Sequence, residues 1–234
     1  VLCENPLALT SQEAESLNQV ALGRLMVAHI LPFFPEYRLL ADAVADNRFG
    51  KLLGGHFKRV IGPPDWLPDF YDATKVGGPL IDLHVHDAHL IRMLLGMPTQ
   101  AHSVCRMRDG VPKYVETVFR FADSEIVASA TSGVIDQASR GFTHGYDVQF
   151  ELANIQFESA AFGDGSGASI PLVIAHSDGR VERPLLDGGD SIAIFAQELD
   201  AAARSILTGN TEPALEGSIA VDAIKICEMQ VPKG

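Results

Sequence analysis

Tyr114-Val115-Glu116-Thr117-Val118-Phe119-Arg120-Phe121-Ala122 alternates side chain by side chain, with Val115, Thr117, Phe119 and Phe121 on one face. A period of two marks a strand with one buried and one open face. The cluster Ala122-Asp123-Ser124 reads as a turn, and alternation resumes over 125–134 and 144–152. Two further extended runs, 154–161 and 170–176, complete the block. The small residues of 163–169 read as a surface loop between them, and Ser177-Asp178-Gly179 as a turn. Strands joined by turns this short pair antiparallel.

Helical patterns lie on either side. Thr10-Ser11-Gln12-Glu13 is a capping box: Thr10 accepts from the Glu13 amide while Glu13 reaches back. Ala14, Leu17 and Ala21 carry that helix to about Arg24. The short apolar run 25–30 reads as a buried strand. A second helix covers 36–47, with Leu39, Leu40, Ala43 and Val44 on one face and Gly50 beyond its end. A strand follows over 51–61. Gly77-Gly78-Pro79 opens a third helix, because proline suits a first turn, and Gly96-Met97-Pro98 closes it. Two helices finish the chain, one marked by Ile192, Phe195, Leu199, Ala202 and Ile206, the other by Ile219, Ala223, Ile226 and Cys227. Helices, then grouped strands, then helices indicate an α+β fold: a largely antiparallel open sheet with helices packed on one face, in a single domain over 1–234. The other face is then polar or meets a partner.

Composition narrows the function classes. Lys and Arg total 18 against 30 Asp and Glu, a net charge of −12. Nucleic-acid and anionic-membrane binding need basic patches, so neither is expected. No apolar run is long enough to span a bilayer. Three widely spaced cysteines, Cys3, Cys105 and Cys227, argue against a disulfide framework or a structural zinc site, and a cytoplasmic location is the default expectation. No Gly-x-Gly-x-x-Gly follows a strand, so the chain carries no dinucleotide fingerprint of its own.

The chemistry concentrates in Asp82-Leu83-His84-Val85-His86-Asp87-Ala88-His89. In a continuous helix Asp82 and His86 stand one turn apart and share a face. A carboxylate beside an imidazole orients it and raises its basicity, which suits a general base taking a hydroxyl proton. The plain alternative is a helix start with solvated or satisfied histidines. A rival reading takes Asp-x-His-x-His as the opening of a metal-dependent hydrolase barrel with His84 and His86 on zinc. Against it stand the few later histidines (His102, His144, His176) and a chain that neither alternates strand with helix nor is long enough for such a barrel.

Three stretches together resemble the C-terminal part of the Gfo/Idh/MocA oxidoreductases, the glucose-fructose oxidoreductase and inositol dehydrogenase group. Val1-Leu2-Cys3-Glu4-Asn5-Pro6-Leu7-Ala8 is similar to that family's Glu-Lys-Pro segment. Pro35-Glu36-Tyr37 through Phe49-Gly50-Lys51-Leu52 is similar to the next helix and strand entry. Gly77-Gly78-Pro79-Leu80-Ile81-Asp82-Leu83-His84-Val85-His86-Asp87, with Leu95-Gly96-Met97-Pro98, is similar to its Asp-x-x-x-His block. The resemblance implies an NAD- or NADP-dependent dehydrogenase of a small sugar or polyol. Its Rossmann domain would stand directly before Glu4, and the opening Val1-Leu2-Cys3, which reads like the end of a buried strand, fits that expectation. His86 would take the proton as hydride leaves, Asp82 would assist it, and Glu4 and Pro6 would border the cofactor. A homodimer or homotetramer would form through the sheet face.

Two positions depart from the family pattern. Asn5 stands where the family has lysine; it can donate a hydrogen bond but carries no charge. Pro32 stands where relatives often place arginine. A weaker catalyst, an unusual substrate and a non-catalytic binding or dimerisation module are all compatible with Asn5. Trp66, Tyr71 and Lys75, on the loop feeding the Gly-Gly turn, are candidates to line the substrate pocket or simply to anchor the loop. Lys58 and Arg59 are adjacent on a strand, so only one can face the site. His29 and His144 read as structural.

Overall fold

A computed structural model of the chain describes residues 1–186 and 191–231. Eight strands form one sheet: β3 (Leu52–Ile61), β4 (Gln100–Arg108), β5 (Val111–Arg120), β6 (Val127–Val134), β7 (Arg140–Phe150), β8 (Ala153–Phe162), β9 (Gly167–His176) and β10 (Val181–Glu182). Their order is β10-β9-β8-β7-β3-β6-β5-β4. Every neighbouring pair is antiparallel except β3 with β6, which run parallel because a long helical excursion separates β3 from the strands that follow. A separate parallel pair joins β1 (Leu2–Glu4) to β2 (Met26–Ala28), with Glu4 level with Ala28.

The alternation that defines β5 does what the sequence asks of it: Val115, Thr117, Phe119 and Phe121 are all buried. They meet Phe57, Ala128, Ala130, Tyr146, Val148, Ile155 and Phe157 from the other strands in one core. Helices cover that face: α2 (Pro35–Ala45), α3 (Pro79–Asp82), α4 (Val85–Leu95) and α6 (Gly217–Met229), with α1 (Ser11–Val20) packed outside α6. From α4, Val85, Ala88, Leu90, Ile91 and Leu94 enter the core. Full burial of each large apolar side chain contributes about 1.5–3 kcal/mol. α5 (Ser191–Thr208) lies apart, packing through Ile194, Ala201 and Ala202 against Met26, Phe33 and Leu215.

The opposite face is mostly polar, with Val104, Val118 and Val127 exposed among its polar residues. One cross-strand row reads Glu116, Thr131, Lys58, Gly145, Glu158. Thr131 donates to Glu116 at 2.6 Å and Lys58 pairs with Glu158 at 2.8 Å, beside a cleft of about 670 Å³.

Three expectations need correction, and one strand, β4, lies outside them. β4 shows no apolar alternation in sequence because its half-buried positions, Ala101, Ser103 and Cys105, are small or polar and cover Gln230 at the sheet edge. β9 begins at Gly167, inside the stretch read as loop; the turn is confined to 163–166. α1 ends at Val20, because Leu22 and Gly23 take positive φ, 50° and 76°. The third helix is not continuous. Leu83 and His84 both bond back to Pro79, the His84 amide five residues back at 2.9 Å. This widened turn, of the π type, separates α3 from α4. Its entry needs glycine: Gly78 has φ 76°, and a Cβ there would lie 2.9 Å from Val111 Cγ2.

Candidate functional site

The site grows from two anchors. The first is the end of the β1–β2 pair. There the Asn5 side-chain amide donates to the Ala28 carbonyl at 2.5 Å, holding the Glu4-Asn5-Pro6 corner against β2. Glu4 is exposed, while Asn5 and Pro6 are half-buried. The second anchor is a buried ion pair. Arg59 faces the helices, and its guanidinium grips Asp87 with two bonds, Nε to Oδ2 at 2.9 Å and Nη2 to Oδ1 at 3.1 Å. Side chains 5% and 1% exposed make this a bridge through the core from β3 to α4. Its neighbour Lys58 points to the open face, which settles which of the two adjacent cations faces the helices.

Asp87 fixes the helical turn that carries His86. From 80 to 91, only Asp82 and His86 reach the surface in part; every other side chain is buried. The Nδ1 of His86 is sealed and has no partner, which leaves Nε2 as the nitrogen a ligand can reach. Behind it lies His29, the residue after β2. Its ring stacks on His89 with centroids 4.0 Å apart and planes 14° apart, and it meets His86 edge-on at 6.2 Å and 87°. His29, whose partners were not legible in the sequence, thus stands between the Asn5 corner and His86.

Electrostatics keep these imidazoles neutral. Burial, then the Arg59 charge and the neighbouring His29 and His84, hold His86 well below its ordinary value of 6.5. Burial lowers His29 to about 3 and His84 to about 4. Burial raises the carboxyl of Asp82. The expected pairing of Asp82 with His86 is not made: no hydrogen bond or ion pair joins them among the described residues, because the wide turn at His84 breaks the one-turn register between them. A further acid, Glu198 of α5, is 2% exposed with Oε1 unpaired. Burial, and next the charge of Glu4, push it up to about 7. No sequence pattern distinguishes Glu198 from its exposed neighbours.

The loop candidates separate. Phe70 packs with Ile61, Leu83 and Val134, and Tyr71 lies against that cluster under the Arg108 guanidinium, 4.1 Å away. Trp66 is 73% exposed. Lys75 is committed to its own loop, 2.9 Å from Asp69. His144 is structural as expected, accepting or donating through Nδ1 to the Tyr37 hydroxyl at 2.8 Å.

The metal-hydrolase alternative finds no support. Among the described residues no three His, Cys, Asp or Glu side chains converge as ligands. His84 is fully buried, with its nearest carboxylate at 3.9 Å already held by Arg59, and an antiparallel open sheet is not a parallel barrel.

Residues 37–153, half of the chain, match the model of the GFO/IDH/MocA C-terminal domain. The chain belongs to the GFO/IDH/MocA family. A curated relative, the 1,5-anhydro-D-fructose reductase of Ensifer adhaerens, is 28% identical over 93% of this chain and 65% of its own length. The dTDP-3,4-didehydro-2,6-dideoxy-alpha-D-glucose 3-reductase of Actinomadura kijaniata is 24% identical over 96% of this chain and 68% of its own. The chain therefore spans about two thirds of the curated relatives it matches. Among solved structures, a levoglucosan dehydrogenase in complex with NADH and levoglucosan shares the fold, with a TM-score of 0.76 and 18% identity, over 98% of this chain and 70% of that one. A UDP-N-acetylglucosamine 3-dehydrogenase from Acidithiobacillus ferrooxidans does so with a TM-score of 0.74 and 19% identity, over 97% and 68%.

Proposed function

We propose that this chain is the substrate-binding and catalytic part of an NAD(P)-dependent oxidoreductase acting on a hydroxyl of a sugar, polyol or related compound. One observation carries the reading. A neutral, part-exposed histidine, His86, meets His29, whose neighbour Ala28 accepts from Asn5, in a GFO/IDH/MocA fold whose relatives are named as sugar reductases and dehydrogenases.

The residues present fit the nicotinamide end of such a cofactor and not its phosphates. Glu4 is an exposed carboxylate at the carboxyl end of two parallel strands, the end at which α/β sheets take their ligands. No glycine-rich phosphate turn follows a strand in this sequence, so the pyrophosphate needs a nucleotide-binding domain that we place before Glu4 in the parent protein. Such a cofactor would supply the hydride acceptor for the carbinol carbon.

The rest is the work of this chain. Nε2 of His86 takes the hydroxyl proton, leaving a carbonyl, and burial keeps that nitrogen unprotonated and ready. Asp82 does not orient the ring; half-buried at the same rim, it accepts from a second substrate hydroxyl. The second N–H of the Asn5 amide holds the substrate oxygen, the first being spent on Ala28. Trp66 offers a flat face for a sugar ring, and Tyr71 supports the loop that carries it. Lys75 contributes through that loop rather than through its ammonium. The polar sheet face is where we place the contact of a homodimer or homotetramer. No helix among the described residues is long and apolar enough to cross a membrane.

One observation favours a second reading, a sugar-binding module without turnover: Asn5 carries no charge and is tied to β2. The parent protein, supplied with NAD or NADP and a panel of pyranoses and polyols, decides between them. The reading expects reduced nicotinamide to appear with at least one member of the panel. Saturable sugar binding with no reduction of either cofactor would instead establish the binding module.

A further inference from the structure

Burying an imidazole without a hydrogen bond is costly, because each unmet polar nitrogen loses its water for nothing. This molecule buries such imidazoles repeatedly in one place, His84 among them. Both nitrogens of His29 and Nδ1 of His86 are sealed without partners, and the buried ring of His89 has only the Ala214 backbone within reach. A core position with no other task would be filled at lower cost by phenylalanine or leucine. The three rings also have a definite order. His89 belongs to α4, one turn after Val85; His29 belongs to the β2 end and is pressed face to face on His89; the edge contact then passes from His29 to His86. His29 also continues the peptide whose carbonyl, on Ala28, receives the Asn5 amide. It therefore touches both halves of the site.

We propose that His29 is a positioning residue: clamped on His89, it sets the ring of His86 so that Nε2 faces the substrate and Nδ1 stays shut in. This rests on the reading of His86 as the base, but the geometry can be tested without it. Other groups bear on His86 as well. Arg59 reaches it from β3, with its charge partly balanced by Asp87; His84 and His89 act from its own helical segment. Glu198 of α5 and Glu4 of β1 interact with each other. Of these, only His29 contacts the His86 ring from outside the 82–89 segment through a ring-to-ring contact. Removing it opens space beside the His86 ring to water, which eases protonation of His86.

The test uses the parent protein with His29→Phe and His29→Ala. Phenylalanine keeps the stack and the edge; alanine removes both. Two readouts apply: kcat and KM across pH, and the imidazole nitrogen signals of His86 by NMR across the same range. For His29→Ala the proposal expects kcat to fall about 10- to 100-fold with KM within about twofold, as a displaced catalytic group does. It also expects the acid limb of kcat and the NMR midpoint of His86 to move up in pH together. His29→Phe should keep kcat within about threefold of the parent. Unchanged His86 signals and acid limb in a folded His29→Ala protein would overturn the proposal, as would equal losses in the two variants. If instead the His86 signals move while kcat does not, positioning stands and the assignment of His86 as base falls.

Discussion

Replacing Asp87 by leucine strands the Arg59 guanidinium in the core. The two bonds between them, at 2.9 and 3.1 Å, join side chains 5% and 1% exposed, so water cannot take the place of the lost carboxylate. Removing one partner of such a pair costs about 3–5 kcal/mol, because a buried charge is left uncompensated. For a chain of this length each kcal/mol moves Tm by about 2–4 °C, so Asp87→Leu should lower it by roughly 6–20 °C. Arg59→Met should do much the same. The double replacement, Arg59→Met with Asp87→Leu, removes both charges, and buried pairs exchanged for apolar residues are often neutral or better. Its expected cost is within about 1 kcal/mol of the parent, giving a coupling of several kcal/mol in the double-mutant cycle. Urea unfolding of the four proteins measures this. Single variants losing under about 1 kcal/mol, or a double variant losing the sum of both, would refute the claim that this pair fastens α4 to the sheet.

Three other outcomes follow from the same chemistry. Glu198 keeps its proton in the folded chain up to about pH 7, whereas an unfolded glutamate releases it near 4.5; stability therefore falls as pH rises through that window. Glu198→Gln should match the parent at pH 5 and exceed its stability at pH 8 by on the order of 1–3 kcal/mol, read by thermal melting; equal curves at both pH values would show that the acid is solvated. His29 and His84, held to about 3 and 4, work in the opposite sense. Their contribution is complete above the ordinary 6.5 and is lost as pH falls toward their folded values, so the parent should destabilise steeply below about pH 6 and His29→Phe should flatten that limb. Ile91→Ala, which empties a fully buried position of α4, should cost about 2–5 kcal/mol in urea unfolding; a loss under about 1 kcal/mol would show that the helix layer is loosely packed.

The sheet was legible wherever a strand had a large apolar face. β5, with Val115, Thr117 and Phe119 against solvent-facing Glu116 and Val118, could be read directly. β4 could not, because an edge strand covering a helix end needs no large side chains. The wide turn at His84 left no mark in the sequence either: a π-type bond changes the register without changing the residue types. That hid the separation of Asp82 from His86. The segment 82–89 announced itself by composition, whereas His29 and Glu198 entered through long-range packing, which periodicity cannot reveal. Of Lys58 and Arg59, strand alternation said only that they diverge; the partner Asp87 decided which faces the helices.

The most direct test of the central claim is the pH-resolved kcat of the parent protein against His86→Gln, followed by the appearance of reduced nicotinamide. If Nε2 of His86 takes the hydroxyl proton, His86→Gln should lose about 100-fold or more in kcat near neutral pH and recover part of it as rising hydroxide replaces the base. A His86→Gln protein that turns over at the parent rate across that range would contradict the account and move the proton acceptor elsewhere in the site.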